Sequence, residues 1–233
     1  MIFCVSIIEH SRLNGTRRVA DDLYLIAYHE SSGRPYLSLR SAGIGLAGGL
    51  LAELMAAPTP AITLDRGYLI PRYRKNGAPV ARYARPDDLV AGHVLDLIVA
   101  ESPSRPVRDW LLFLGQTAAA DVAGRLEHAG YLARTAGRIP WRAGPLVPVE
   151  GDWSQCALLR AHGALDGTRT LTLYSALLAG LTVACGLGFR FADLSKAPTR
   201  GTEEAVGMLP RPLKELIAQV QAAADAAVLS VRM

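Results

Sequence analysis

The stretch SAGIGLAGGLLAELMA, from Ser41 to Ala56, consists of small and aliphatic residues apart from one charged side chain, Glu53. Alanine and leucine favour helices, and glycines on a helix surface let a neighbouring backbone approach closely. The composition therefore predicts a long helix that packs tightly against its neighbours.

The hexapeptide GIGLAG, Gly43 to Gly48, offers an alternative because it matches the G-x-G-x-x-G fingerprint of dinucleotide-binding folds. It follows the extended-looking YLSL, and Asp65 ends another extended segment twenty-two residues after Gly43. A first strand of that fold should be apolar up to the first glycine, whereas Arg40 and Ser41 interrupt it here. The later sequence also lacks alternating strands, so we favour the packed helix and keep dinucleotide binding as an alternative.

The rest of the chain favours the same structural class. Half of the 233 residues are hydrophobic and only 6% are aromatic, so leucine, alanine, valine and isoleucine supply the apolar mass. This length suits one domain with ample core. We predict an all-α (mainly α) fold, a compact multi-helix bundle around central apolar helices with one or two surface β-hairpins.

Apolar periodicity predicts the other helices. They cover approximately residues 19–28, 87–100, 107–114, 118–129 and 152–164, together with a C-terminal helix whose buried face carries Leu213, Leu216, Ile217, Val220 and Ala224. We expect Asp87 to cap the helix over 87–100. The buried face of that helix is predicted to carry Leu89, His93 and Leu97, with Val94 and Ile98.

Two hairpins are predicted between these helices. AITL and YLIP flank a turn at Asp65 to Gly67, and LARTAGRIPWRAGPLVPVE is expected to turn around Ala136 and Gly137.

Residues 171–189, LTLYSALLAGLTVACGLGF, carry no charge and are long enough to span a membrane. Three glycines, two threonines and a serine dilute their hydrophobicity, so we favour a buried helix of the bundle. The first residues, MIFCVSII, lack a basic region before them and a cleavage site after them, so we expect no signal peptide. Three scattered cysteines favour a reducing, cytoplasmic compartment.

Basic residues concentrate in two predicted loops. Six stand between Asp65 and Arg85 against one acidic residue, and Arg134, Arg138 and Arg142 follow later with no acidic residue among them. Such loops attract anionic membranes by roughly 1 kcal/mol for each cation near the surface. The loops contain no reading helix or periodic aromatic platform, so we do not expect a nucleic-acid partner.

Two acidic pairs, Asp21–Asp22 and Glu203–Glu204, could bind magnesium together in an enzyme acting on a prenyl diphosphate. Adjacent helical side chains diverge by about 100°. Acidic residues in a first turn also complement the helix dipole. We therefore favour a structural role for the pairs and expect no metal and no cofactor.

Several blocks occur in a distinctive order: VADDLYLIAYHE, GRPYLSLRSAGIGLAGGLLAEL, AITLDRGYLI, RDWLLFLG and RLEHAGYL. From about Thr16 to Leu229 the chain resembles the Golgi phosphoprotein 3 family, in its bacterial branch. The resemblance implies a single helical domain over residues 16–233 after an N-terminal extension of residues 1–15. It also implies that Asp21 and Asp22 open a structural helix.

The resemblance further implies a non-enzymatic peripheral membrane protein. Eukaryotic members bind phosphatidylinositol 4-phosphate through an aromatic residue and three arginines. Those positions fall here on Ser38, or on Tyr36 after a two-residue shift, and on Ala47, Gln116 and Ala119. All three family arginines are thus absent.

The candidate lipid-headgroup residues are consequently Tyr36, Arg40, Arg108 and Arg125. The candidate membrane contacts are Arg138, Ile139, Trp141 and Arg142, in which two cations flank two apolar side chains. We expect a cytoplasmic adaptor that docks on anionic membrane lipid. A protein partner and homo-oligomerisation are left open, and an enzyme with an apolar pocket for a prenyl diphosphate or dinucleotide is the alternative.

Overall fold

The glycine-rich stretch forms a helix, Leu39–Ala56, that occupies the centre of the fold. Every residue from Ser41 to Ala52 is buried, and neighbouring helices pack on several sides. Ser38 caps the helix because its hydroxyl oxygen accepts a hydrogen bond from the Ser41 backbone N–H at 3.0 Å.

The computed structural model describes residues 18–72, 88–101, 105–135, 144–150, 152–163, 171–191 and 198–230. In chain order the elements are α1 (Val19–Ala27), α2 (Leu39–Ala56), β1 (Ile62–Asp65), β2 (Tyr68–Pro71), α3 (Leu89–Glu101), α4 (Val107–Leu114), α5 (Ala118–His128), β3 (Leu132–Arg134), β4 (Leu146–Pro148), α6 (Trp153–His162), α7 (Leu173–Ala184), a 3₁₀ helix (Gly188–Phe191), α8 (Pro198–Gly207) and α9 (Arg211–Ser230). The mainly α prediction is confirmed, and the strands of these residues form two antiparallel hairpins.

Two glycines show why α2 needs small residues. An ideal Cβ on Gly43 would lie 2.1 Å from the backbone oxygen of Gly115, and one on Gly49 would lie 2.9 Å from the Cα of Ala20. Neighbouring backbones therefore occupy the space of a side chain. GIGLAG lies inside the helix, and the preceding YLSL is not a strand because the helix begins at Leu39. The packing interpretation is confirmed, and the dinucleotide interpretation is wrong.

Helices α1 and α9 complete the core around α2. All nine residues of α1 are buried, and α1 contacts α2, α5, α6 and α7. The predicted buried face of α9 is confirmed, because each of its members is buried: Leu213, Leu216, Ile217, Val220 and Ala224.

The predicted buried face of α3 is partly wrong. Leu89 is 91% exposed and His93 is also exposed, while Leu97 is only half-buried. The face that enters the core carries Ala91, Val94, Leu95 and Ile98, which share the i, i+3, i+4, i+7 spacing of one helix side. Two sets of apolar residues in this segment have helical spacing, and the set that begins at Ala91 faces the core.

The first hairpin pairs Ile62 with Pro71 and Asp65 with Tyr68, as predicted. Its turn uses Arg66 and Gly67, both with positive φ. The second hairpin pairs Leu132 with Pro148 and Arg134 with Leu146. Its predicted turn residues, 136 and 137, lie outside the described residues.

The charge-free segment forms α7, whose twelve residues begin with a capping box between Thr172 and Ser175. Most of α7 is buried, which confirms the interpretation as a helix of the bundle. Among the described residues, α2 is long and apolar enough to cross a membrane, but 78% of that stretch is buried, as in the core helix of a soluble protein.

Candidate functional site

The adjacent aspartates of α1 are both buried, and each binds a different arginine. Asp21 is 3% exposed and Asp22 is fully buried. Because neighbouring helical side chains diverge by about 100°, Asp21 reaches Arg125 of α5 and Asp22 reaches Arg160 of α6. The predicted structural role fits this arrangement, but it depends on buried ion pairs and not on an exposed helix terminus.

Arg125 is the centre of the first ionic network. Its Nε donates to Asp21 Oδ1 at 2.7 Å, and its Nη1 donates to Glu53 Oε2 at 3.1 Å and also to Asp88. Arg18 adds a second guanidinium, whose Nη1 lies 2.8 Å from Asp88 Oδ2. Three carboxylates thus share two guanidiniums, and the network joins α1, α2, α3 and α5.

Asp88 also begins α3, because its Oδ1 accepts a hydrogen bond from the Val90 backbone N–H at 3.1 Å. The predicted cap, Asp87, lies outside the described residues. The pairing with Arg125 and Arg18 fixes the side chain that starts this helix.

Burial is the main influence on the protonation of the network. Burial raises the pKa of Asp21 to about 7, although Arg125 opposes the shift, and burial also raises the pKa of Glu53. Burial alone would raise the pKa of Asp88, but Arg125 and Arg18 outweigh it and lower that pKa. One proton is therefore held within the network more tightly than on a solvated carboxylate.

The second network centres on Asp22. Arg160 Nε and Nη2 each donate to one oxygen of Asp22 at 2.6 Å, and the Tyr174 hydroxyl donates to Asp22 Oδ2. Burial and the charge of Asp22 both raise the pKa of Tyr174. These contacts tie α1 to α6 and α7.

The magnesium alternative finds no support in this arrangement. Asp21 and Asp22 are bound by arginines, whereas Glu203 and Glu204 are exposed on α8. Among the described residues, no group of three or more His, Cys, Asp or Glu side chains is placed to hold a metal ion. A cavity of about 520 Å³ does lie beside Glu53, Asp88 and Arg18, but both of its carboxylates are already paired with arginines.

The four candidate headgroup residues occupy different environments. Tyr36 is half-buried, and Arg40 and Arg108 are exposed. The Arg125 side chain is only 8% exposed and is enclosed by carboxylates, so its headgroup role stays a prediction and we do not include it in the surface described next.

Arg40 lies at the start of α2, beside the turn between α4 and α5. It lines a shallow depression of about 320 Å³ together with Leu39, Leu112 and Gln116. Gln116 is exposed and is one of the positions where the family resemblance places an arginine. The other two such positions differ, because Ala47 is fully buried and Ala119 is half-buried.

Arg108 lies on the same side of α4 as this depression. It precedes Leu112 by four residues, so both project from one face of the helix. Helical spacing thus places Arg108 one turn before Leu112, which lines the depression together with Arg40.

Tyr36 precedes α2 and contacts a cation that the sequence did not point to. The Arg190 guanidinium carbon lies 4.4 Å from the centre of the Tyr36 ring, and Phe189 meets that ring edge-on at 6.3 Å. Arg190 comes from the 3₁₀ helix that follows α7, more than 150 residues along the chain. No local sequence signal could have joined the two residues.

The candidate membrane contacts Arg138, Ile139, Trp141 and Arg142 lie outside the described residues.

The sequence does contain an indication that Arg125 and Arg160 are buried. Arg125 follows Ala118 and Val122 at helical spacing, and Arg160 follows Ala157 at the spacing of one turn, so each arginine is in phase with buried residues. A cation on an apolar helix face indicates a buried carboxylate partner.

Comparison with known families gives one match. A family model described as Golgi phosphoprotein 3 (GPP34) covers residues 19–229. The matched region begins at the first residue of α1 and ends one residue before the end of α9. No curated protein matches the chain.

Proposed function

Since the chain belongs to the Golgi phosphoprotein 3 family, we propose that it is a cytoplasmic peripheral adaptor that docks reversibly on anionic membranes and carries out no chemistry itself. Family membership supports an adaptor of this kind in general. The anionic lipid, the surface that meets it and a protein partner at the membrane are the finer parts of the proposal.

The observation that carries the proposal is a mixed cationic and apolar surface at the N-terminal end of α2. We call it the docking surface and define it by Tyr36, Leu39, Arg40, Arg108 and Leu112. Leu39 is 72% exposed beside the exposed Arg40. Interfacial anchors combine apolar side chains that enter the lipid with cations that stay at the headgroups.

The strength of these contacts suits reversible binding. Two arginines near an anionic surface contribute about 2 kcal/mol, and burial of one leucine contributes about 2 kcal/mol more. A total of about 4 kcal/mol corresponds to roughly millimolar affinity. The docking surface alone would thus bind weakly, and a second contact is needed for stable residence.

We assign that second contact to the connection between β3 and β4. Ile139 and Trp141 would enter the interface, while Arg138 and Arg142 would lie over the headgroups. Two weak contacts on one protein bind more strongly together than either alone.

Vesicle flotation with charge-neutralised variants tests the docking surface. Arg40→Gln and Arg108→Gln should each weaken binding to vesicles containing phosphatidylglycerol about fivefold, because each removes about 1 kcal/mol. Arg211→Gln is the matched control, since Arg211 is an exposed arginine at the start of α9, near the C-terminal end of α2.

An equal loss of vesicle binding in all three variants would mean that binding depends only on the total charge of the protein. That result would contradict a defined docking surface. Binding to neutral vesicles with no effect of salt would contradict the proposed function itself. Magnesium-dependent turnover of a prenyl diphosphate would favour the enzyme alternative.

A further inference from the structure

An apolar groove lies at the C-terminal end of α2. The cavity of about 520 Å³ beside Glu53 adjoins a second depression of about 350 Å³, because Ala56, Ala57 and Leu173 line both. Leu173 is 43% exposed. Exposed apolar surface of this kind marks a site that binds an apolar partner. We call the two depressions together the α2 groove, and its apolar walls include Leu54, Ala56, Ala57, Leu173, Leu177 and Leu213.

The larger part of the α2 groove suits an uncharged occupant. Its two carboxylates are already paired, Glu53 with Arg125 and Asp88 with both Arg125 and Arg18. A charged ligand would lose its water and find these opposite charges engaged, which is unfavourable. An apolar occupant would instead remove Leu173 and the small residues at the end of α2 from water.

The described chain begins at the edge of this groove. Arg18 and Val19 both line the larger cavity. Arg18 has an extended backbone, with φ −119° and ψ 129°, and its guanidinium is bound to Asp88. Residues 1–17 therefore join the described fold beside the α2 groove.

The segment that precedes Arg18 has the composition that such a groove requires. Its first eight residues, MIFCVSII, contain no charge and six bulky apolar side chains. Nine residues, Glu9 to Arg17, join them to Arg18. Nine residues reach about 30 Å at full extension, about three times the diameter of a sphere with the volume of the larger cavity. A tether also gives an occupant a high effective concentration, which favours this segment over a separate molecule.

We infer that the apolar segment Met1 to Ile8 of this chain packs into the α2 groove and covers it. The inference goes beyond the proposed function and does not depend on it. The groove lies at the C-terminal end of α2, whereas the docking surface lies at the N-terminal end.

The native Cys4 allows a direct test by cross-linking in the full chain. Thr59→Cys places a second thiol on the groove, because Thr59 is exposed and lines the larger cavity. Cys156→Ser removes the half-buried thiol, and Cys185 is buried. A short bismaleimide should join Cys4 to position 59 within one molecule, and peptide mass spectrometry identifies the product.

Two variants distinguish a packed segment from one that only passes near the groove. Ile7→Asp should slow cross-linking at position 59 about tenfold, because a charge would enter the apolar contact. Asn14→Asp introduces the same charge between the apolar segment and Arg18, and it should leave the rate unchanged. With Leu39→Cys in place of Thr59→Cys, at the other end of α2, Ile7→Asp should not slow the reaction.

Hydrogen exchange of the same proteins without the added cysteines gives an independent measurement. Backbone amides at the end of α2 and the start of α7 should exchange faster in Ile7→Asp than in the parent, and Asn14→Asp should match the parent. Thermal unfolding of each variant checks the fold.

The contrary results are equally specific. Equal cross-linking at position 59 in Ile7→Asp and the parent, with equal hydrogen exchange, would overturn the inference. Cross-links that join only two different molecules would show a second copy in the groove and also overturn it. Either result would leave vesicle binding by the parent unchanged, so failure of this inference is distinguishable from failure of membrane docking.

Discussion

Asp21 shows how strongly a single buried side chain depends on its neighbours. Its carboxylate shares Arg125 with Glu53 and Asp88, and Arg18 also pairs with Asp88, so two guanidiniums face three carboxylates. Burial raises the pKa of Asp21 to about 7, from an ordinary value of 3.8. The folded protein consequently holds a proton that the unfolded chain releases.

This shift makes stability depend on pH. Between pH 4 and 7 the folded state binds more protons than the unfolded state, so stability falls as pH rises through this range. Glu53 acts with the same sign because its pKa is also raised, whereas the lowered pKa of Asp88 affects stability only in more acidic solution.

We predict that, as pH rises from 5 to 8, the melting temperature of the parent falls relative to the melting temperature of Asp21→Asn. The asparagine cannot ionise, so the variant lacks this part of the pH dependence. Differential scanning fluorimetry at matched ionic strength measures the difference. If the difference between the two melting temperatures does not change with pH, Asp21 is ionised throughout this range. If the melting temperature of the parent rises relative to that of the variant, the pKa of Asp21 is lowered and not raised.

Sequence reasoning could assign the aspartates to the fold but could not find their partners. Asp21 and Arg125 are separated by 104 residues, and Asp22 and Arg160 by 138. Pairing between residues so far apart in the sequence depends on how α5 and α6 pack against α1, and no local sequence pattern specifies that packing.

At the scale of elements, the glycines of α2 determine how closely its neighbours approach. Gly49 faces the backbone of α1, so Gly49→Ala should destabilise the protein by about 1–3 kcal/mol despite the better helix propensity of alanine. Gly124→Ala is the matched control, because nothing lies within 4 Å of a Cβ there. It should stabilise α5 by about 0.5–1 kcal/mol.

Urea unfolding of both variants measures these changes. Stabilisation by Gly49→Ala would mean that α1 can move away from α2, and close packing would then not explain the glycines.

Helix positions were predictable where local chemistry defined them. Val107–Leu114 follows Pro106, and Gly130 ends α5 with a φ of +79°, so both boundaries follow from turn and cap residues. The face of α3 was not predictable, because Leu89 and Ala91 begin equally good apolar periods. Only packing in three dimensions selects between them.

At the scale of the whole molecule, α2 separates two ends with different chemistry. Its N-terminal end carries the docking surface, and its C-terminal end lies beside Pro210 and Leu213 at the start of α9. Eighteen residues at 1.5 Å per residue place these ends about 27 Å apart. We expect a membrane that binds the docking surface to leave the other end of α2 in solvent.

The most direct test of docking through the N-terminal end of α2 is quenching by brominated lipid. A fluorophore is attached at Leu39→Cys or, as the control, at Arg211→Cys, with Cys4 and Cys156 replaced by serine. Burial raises the pKa of the Cys185 thiol to about 12, so Cys185 stays unlabelled. We predict that anionic brominated vesicles quench the label at position 39 and leave the label at position 211 unchanged. Quenching at position 211 alone, or at neither position while the protein is bound, would contradict the account.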